Sequence, residues 1–267
     1  MTLAVGLAGC GAVAAHHVPA LRAARGVRLA AAFDLDPAAA AATGAPAAAS
    51  LEELIERVDL VAVCTPPHTH ADVAVAALHA GVGVLVEKPL ATTLADADRI
   101  VAAAGSLIAA TGFQLRCHRR LPRRASEVGG VWGGPLSGSS RAVGPLLDRA
   151  VHHVDLWRAL LGDEVAEAHA VETAAGIRLE ARMRGGARPW LDLPADGPPR
   201  NELTIDGRRI DLYAMDGVAD RLRHPSELGR GGPYQSAFRA QWEAVAGGRP
   251  PATVEDGRRA LAIVLGA

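Results

Sequence analysis

Lys88 is the sole lysine in a chain whose lysines and arginines together number 28. Everywhere else a fixed positive charge is supplied by Arg. A compact, titratable ammonium at this one position points to a task that a planar, permanently charged guanidinium does not perform. Further along the chain stand Asp148, His152 and Asp155. They recur at i, i+4 and i+7 of a strongly helical stretch and so share one helix face. A carboxylate one turn from an imidazole orients its tautomer and raises its basicity, as general acid–base chemistry requires. An ammonium beside such a pair lowers the imidazole's proton affinity and opposes negative charge developing on a substrate oxygen.

A second kind of site lies at the amino terminus. Gly9-Cys10-Gly11-Ala12-Val13-Ala14 fits GxGxxA where a short apolar run gives way to a helix. Gly9 permits the tight turn, Gly11 lets a pyrophosphate approach the backbone, and Ala14 is small enough for helix and strand to pack closely. The free N–H groups and positive dipole end of that helix, around Ala12 and Val13, then face the phosphates. Asp34 follows Ala14 by twenty residues, at the end of the next apolar run, where a carboxylate hydrogen-bonds the adenosine ribose hydroxyls. With no Arg in Phe33-Asp34-Leu35-Asp36 a 2′-phosphate would be repelled, so NAD is favoured over NADP.

The elements that must position these residues are legible in the apolar pattern. Residues 3–8, 27–33, 59–64, 82–86 and 106–111 are short apolar runs without helical period, the mark of buried parallel strands. Helices alternate with them: one to about Arg25, one opened by the Ser50/Glu53 capping box, one over Thr69–His79, and one opened by Thr93. That rhythm predicts an α/β, Rossmann-type parallel sheet with helices on both faces. Thr65, Pro66 and His70 follow the third strand and Glu87 and Lys88 the fourth. All five therefore stand at the carboxyl ends, where open α/β sheets bind ligands, and are candidate cofactor contacts. Beyond about residue 115 the rhythm changes. Residues 129–144 hold six glycines and read as loop around one strand at most, over Pro135–Ala142. Pro145–Leu161 is a strong helix with Gly162 beyond its end. Alternating segments at 164–172 and 176–184, a hairpin over 201–213 turning at Asp206-Gly207, and helices near 235–246 and 255–265 complete the chain. The expected division is a dinucleotide-binding domain over 1–115 and a smaller α+β domain with a mostly antiparallel sheet over 116–267, its carboxy-terminal helices able to pack back on the first domain.

On several of these segments the sequence closely resembles the glucose–fructose oxidoreductase / inositol dehydrogenase / MocA family. They are VGLAGCGAVAAHHVPAL, VDLVAVCTPPHTHADVAVAALHAGVGVLVEKPL, TGFQLRCHRR, GPLLDRAVHHVDLWRALLG and FRAQWEAVAGGRPPATVEDGRRAL. The resemblance covers nearly the whole chain, and EKP with D-x-x-x-H-x-x-D is a specific pair. It implies that Lys88 approaches the nicotinamide and the substrate hydroxyl, that Asp148 and His152 supply the acid–base function, and that Gln114 and Arg116 line the nicotinamide and substrate pocket. The implied activity is an NAD(P)-dependent oxidoreductase moving hydride to or from a carbinol or keto carbon of a sugar, cyclitol or related polyol. Two alternatives remain open: recycling of bound NAD within one turnover, giving net elimination or glycoside cleavage, and a non-catalytic dinucleotide-binding regulator. The intact Lys88/Asp148/His152 set argues against the regulator. The resemblance further implies a homo-oligomer through the exposed face of the second sheet. The chain departs from the pattern in a shortened segment between Arg116 and Asp148, and in Arg149, which stands where a small residue is common.

Composition excludes other classes. A formal net charge of −1 leaves no basic field for nucleic acid or an anionic membrane. Cys10, Cys64 and Cys117 are sparse, odd in number and without CxxC spacing, reading as reduced thiols of a soluble, cytoplasmic protein. Leu7-Ala8-Gly9-Cys10 imitates a lipoprotein cleavage site, but no positive charge precedes Arg22 and only six residues precede Leu7. His16, His17, His79, His118, His169 and His224 read as surface or packing residues, and no ligand set has metal spacing.

Overall fold

Leu3–Ala8 (β1), Val27–Phe33 (β2), Leu60–Val63 (β3), Gly83–Val86 (β4) and Ala109–Thr111 (β5) pair in parallel in the order β2-β1-β3-β4-β5. Every residue of β3 and β4 is buried, which excludes polar side chains from both faces and explains their LVAV and GVLV sequences. The structure, a computed structural model, describes residues 2–134, 136, 143–214 and 232–267. Of the strand expected over Pro135–Ala142 only Leu136 is among them, and His224 lies outside them.

The helices of this unit are Ala14–Ala23 (α1), Pro37–Ala42 (α2), Leu51–Glu56 (α3), His70–His79 (α4) and Leu94–Ala104 (α5). Ser50 and Thr93 accept from the backbone N–H groups of Glu53 and Asp96, and so start α3 and α5 where the sequence places them. The short α2, which the sequence reading left out, begins on Asp36, whose carboxylate accepts from the Ala38 N–H, with Pro37 at the first helical position. The strand order reverses at β1, which runs to β2 on one side and sits against β3 on the other. The crevice beyond the carboxyl ends of β1 and β3 is the switch point at which such sheets bind ligands.

The chain divides into two compact units, Met1–Cys117 with Phe238–Arg258, and His118–Ala237 with Arg259–Ala267. Two helices follow residue 231, Gly232–Ala246 (α7) and Val254–Leu265 (α8). In the first unit an isolated antiparallel bridge joins Ala110 to Thr253, and the Thr111 N–H donates to the Ala252 carbonyl, so the segment between α7 and α8 borders β5.

The second unit holds a six-stranded sheet in the order β11-β10-β6-β9-β8-β7. Its strands are Val128–Gly133 (β6), Val165–Thr173 (β7), Gly176–Met183 (β8), Trp190–Pro194 (β9), Arg200–Ile205 (β10) and Arg208–Asp211 (β11). All its pairings are antiparallel except β6 with β9. Asp206 and Gly207 both take positive φ, 48° and 77°, in the tight turn between β10 and β11. β6 takes up the first part of the glycine-rich stretch, ahead of the strand expected over Pro135–Ala142, and the reason is packing. A Cβ on Gly129 would lie 2.3 Å from the Trp190 ring and one on Gly130 2.8 Å from His153. These glycines make room for aromatic rings over a strand instead of marking a turn. The helix expected over Pro145–Leu161 is divided: Leu146–Ala150 forms a π-helical turn and Val151–Leu161 (α6) is the α-helix. Gly162, left-handed at φ 64°, closes it. Among the described residues no helix is long and apolar enough to cross a membrane.

Candidate functional site

The glycine loop joins β1 to α1. Gly9 has φ +87°, and a Cβ there would lie 2.6 Å from the Cys64 carbonyl carbon and the Thr65 nitrogen. Only glycine lets the loops after β1 and β3 touch at the switch point. The amino end of α1 is suited to an anion: Val13 at its N-cap offers no side-chain cap, no acid stands in the first turn, and a Cβ on Gly11 would meet open space. Ala14 is buried against the sheet. Asp34 follows β2 directly beside this loop, one oxygen accepting from the Cys10 N–H at 2.6 Å and the other from the Asp36 N–H at 2.9 Å. Each carboxylate oxygen retains a lone pair for a ribose hydroxyl. An uncapped helix start, a glycine open to solvent and a carboxylate anchored beside them fit a dinucleotide. Its pyrophosphate would lie on residues 9–13 and its adenosine ribose on Asp34.

Lys88 is half-buried at the carboxyl end of β4. Its neighbour Glu87 is buried, with Oε2 accepting from the Lys88 N–H at 3.1 Å and Oε1 2.9 Å from His17 Nε2. The Trp242 indole lies 3.1 Å from His17 Nδ1, and an indole N–H can only donate. His17 Nδ1 is therefore the acceptor, Nε2 carries the ring proton, and the chain of donation runs Trp242 to His17 to Glu87. Burial alone would push the Glu87 carboxyl up, but the His17 hydrogen bond and the charge of Lys88 prevail and hold it below the usual carboxylate range. Glu87 thus fixes the backbone that carries Lys88 from below. His70 is 1% exposed, its ring nitrogens 2.9 Å from the carbonyls of Thr65 and Pro89, and it braces the loops after β3 and β4 against each other. Burial pushes its pKa down, against those hydrogen bonds. Thr65 accepts a 2.8 Å hydrogen bond from the Thr69 hydroxyl, and Pro66 precedes the short 3₁₀ turn that opens α4. Gln114 is buried in the turn after β5. Arg116, in the same turn, donates to the Pro251 carbonyl at 2.8 Å and lies 3.3 Å from Asp256.

In the second unit Asp148 sits in the π-helical turn and His152 in the first turn of α6. The His152 ring lies against Trp132 of β6, centroids 5.6 Å apart and planes tilted by 34°. Asp155 stands one turn beyond His152 in α6. It is fully buried, 4.0 Å from Arg158, which in turn clasps the half-exposed Glu164 at 2.8 and 2.9 Å. The π-helical turn that holds Asp148 departs from the 3.6-residue period assumed between Asp148 and His152, while His152 and Asp155 keep that period within α6. His153 turns to β10 and pairs with the Asn201 side chain at 3.2 Å. Tyr213, which the sequence reading passed over, follows β11 and packs edge-on to Tyr234, centroids 5.0 Å apart. Burial pushes its phenol up, against hydrogen bonds to Asn201 and Trp132 and the charge of Arg149. No local pattern marks Tyr213, His17 or Trp242, whose partners are distant in sequence.

Burial also pushes the His153 imidazole down to about 4, against its hydrogen bond with Asn201. A folded-state pKa below the unfolded value means that the unfolded chain binds more protons between the two. The resulting stability is present above about 6.5 and lost as pH falls toward 4. Melting temperature is therefore expected to fall across that window. A His153→Gln protein, less stable at neutral pH, should show a flatter decline; an equal slope in both would remove His153 as its source.

Residues 3–109 match the model of GFO_IDH_MocA, an oxidoreductase family with an NAD-binding Rossmann fold. The chain is 33% identical over 208 residues to inositol 2-dehydrogenase 1 of Saccharopolyspora erythraea, across 68% of this chain and 61% of that protein. It is 31% identical over 255 residues to inositol 2-dehydrogenase 2 of Paenarthrobacter aurescens, across 86% and 74%. The match thus spans less than two thirds of the first relative and about three quarters of the second. The crystal structure of myo-inositol 2-dehydrogenase from Lactobacillus plantarum superposes with a TM-score of 0.79, covering 99% of this chain and 96% of that one. At 18% identity that likeness shows the fold. The glycine loop, Asp34 and Lys88 fall within the matched residues, and with relatives of this identity and span the chain belongs to the Gfo/Idh/MocA family of oxidoreductases.

Proposed function

We propose that the protein is an NAD-dependent dehydrogenase acting on a carbinol carbon of a cyclitol or sugar polyol. The observation that carries this reading is the solitary Lys88, its backbone held by a buried, ionised Glu87, in a chain whose relatives are inositol 2-dehydrogenases. When bound, the nicotinamide supplies the hydride acceptor. His152 takes the hydroxyl proton as the C–H hydride departs, leaving a carbonyl, and returns it in the reverse direction. Asp148 orients the imidazole and stabilises its protonated form. The Lys88 ammonium donates to the same hydroxyl oxygen and opposes the negative charge that grows on it. The test is to mix the protein with NAD and myo-inositol, then with other cyclitols and sugars, and follow NADH absorbance. Net NADH formation on at least one polyol supports the reading. Bound NAD with no reduction on any of them refutes it.

Asp34 sets the expected cofactor preference. Its carboxylate would face a 2′-phosphate with no neighbouring Arg, so NAD should bind more tightly than NADP. Asp34→Ser should narrow the gap, measured as the two dissociation constants by fluorescence titration. A wild-type protein that binds NADP as well as NAD would displace Asp34 from the ribose.

A further inference from the structure

Arg149 follows Asp148 directly in the π-helical turn, and although charged it is only 5% exposed. A guanidinium withdrawn from water is tolerated when its donors are matched and its charge is opposed. Nη1 donates to the Trp132 carbonyl at 3.2 Å and Nη2 to the Gly134 carbonyl at 2.6 Å, while Nε lies 3.8 Å from Asp148 Oδ2. One side chain thus ties the end of β6 to the turn that carries Asp148. Trp132, whose carbonyl it holds, also supplies the ring against which His152 lies. An anion beside an imidazole raises its proton affinity, and a cation behind that anion takes part of the effect back.

We propose that Arg149 is a positioning residue of the Asp148/His152 pair: it holds Asp148 as a carboxylate and Trp132 under the imidazole, and its charge sets the proton affinity of His152 below what Asp148 alone would give. The inference rests on reading Asp148 and His152 as the acid–base pair. The other ionisable groups facing this cluster in the same unit do not supply the charge. Burial keeps His153 of α6 neutral, with a pKa of about 4, and pushes the phenol of Tyr213 up. Asp155 is opposed by Arg158 on the same helix, and on β10 Glu202 turns to Arg209 at 3.6 Å while Arg200 is exposed.

The test follows the carbon-13 signal of the His152 ring in histidine-labelled full-length protein, assigned by its loss in His152→Gln. It is titrated in wild type, in the neutral variants Arg149→Met and Arg149→Gln, and in Arg149→Lys. Both neutral variants should raise the His152 midpoint by about half to one pH unit, the effect of one nearby charge at intermediate dielectric. Arg149→Lys should stay near wild type. The acid limb of kcat/KM for myo-inositol oxidation should move the same way, a shift that a merely structural residue would not cause. Unmoved midpoints in folded neutral variants overturn the proposal. It is also overturned if both neutral variants fail to fold while Arg149→Lys folds, since that assigns Arg149 to structure alone. Failure of the underlying reading looks different: His152→Gln would keep NAD-coupled turnover whatever Arg149 does.

Discussion

His152→Ala is expected to lower turnover by about 10²–10⁴-fold, the usual contribution of a positioned acid–base group. The proton of a carbinol must leave as the hydride leaves, and without the imidazole it passes to water or to a group poorly placed to take it. NAD affinity should change little, because the pyrophosphate and ribose are assigned to the glycine loop and Asp34 in the other unit. The fold should tolerate the change less well. His152 is 1% exposed against Trp132, and truncation leaves a cavity there. Turnover, NAD binding and melting are therefore measured together on the same preparation. Near-full turnover in a folded, NAD-binding His152→Ala protein would move the proton-transfer role to Lys88.

Lys88→Arg is expected to reduce turnover at least about tenfold in a protein that still folds and binds NAD. The swap agrees with the chain's own composition, in which every other Lys-or-Arg position is Arg, so a surface charge at 88 would accept it silently. The surroundings of Lys88 differ from a surface. Its backbone N–H is held by Glu87, and Glu87 is held by His17, itself held by Trp242. With the backbone fixed, a wider and longer head group cannot be accommodated by shifting the chain. The guanidinium would push the substrate hydroxyl from its attacking position, and its very high pKa removes proton sharing. Steady-state kcat beside melting curves with and without NAD checks this. Unchanged kcat would end the catalytic assignment of Lys88.

The dinucleotide-binding half was legible because its signals are local. A glycine loop follows an apolar run, capping residues open helices within three or four positions, and strands buried on both faces carry no polar interruption. The helix carrying His152 was legible for the same reason, but its π-helical turn was not. The apolar period does not distinguish a single π-helical turn from an α-helical one, and the Arg149 contacts to the Trp132 and Gly134 carbonyls that accompany it leave no local pattern. β6 was hidden because Gly129 and Gly130 carry the composition of a loop while serving the space needs of Trp190 and His153. The bracing of Lys88 was illegible for a third reason. Trp242 and His17 are 225 residues apart, and hydrogen bonds across such separations leave no periodic trace. His70 shows the middle case: its position at a strand end was readable, but its burial between two carbonyls, which braces the loops against each other, was not.

The central claim, hydride transfer from a polyol carbon to NAD, is tested most directly by isotope. The protein is incubated with NAD and myo-inositol deuterated at its carbinol carbons, followed by the same experiment on a panel of deuterated cyclitols and sugars. Recovered NADH is then weighed by mass spectrometry beside the carbonyl product. The account predicts one deuterium on the nicotinamide ring of net NADH, in amounts equal to the ketone formed, and loss of both in His152→Ala with NAD binding retained. A protein that binds NAD yet transfers no deuterium from any of these polyols, or that yields an eliminated or cleaved product with no net NADH, would contradict it.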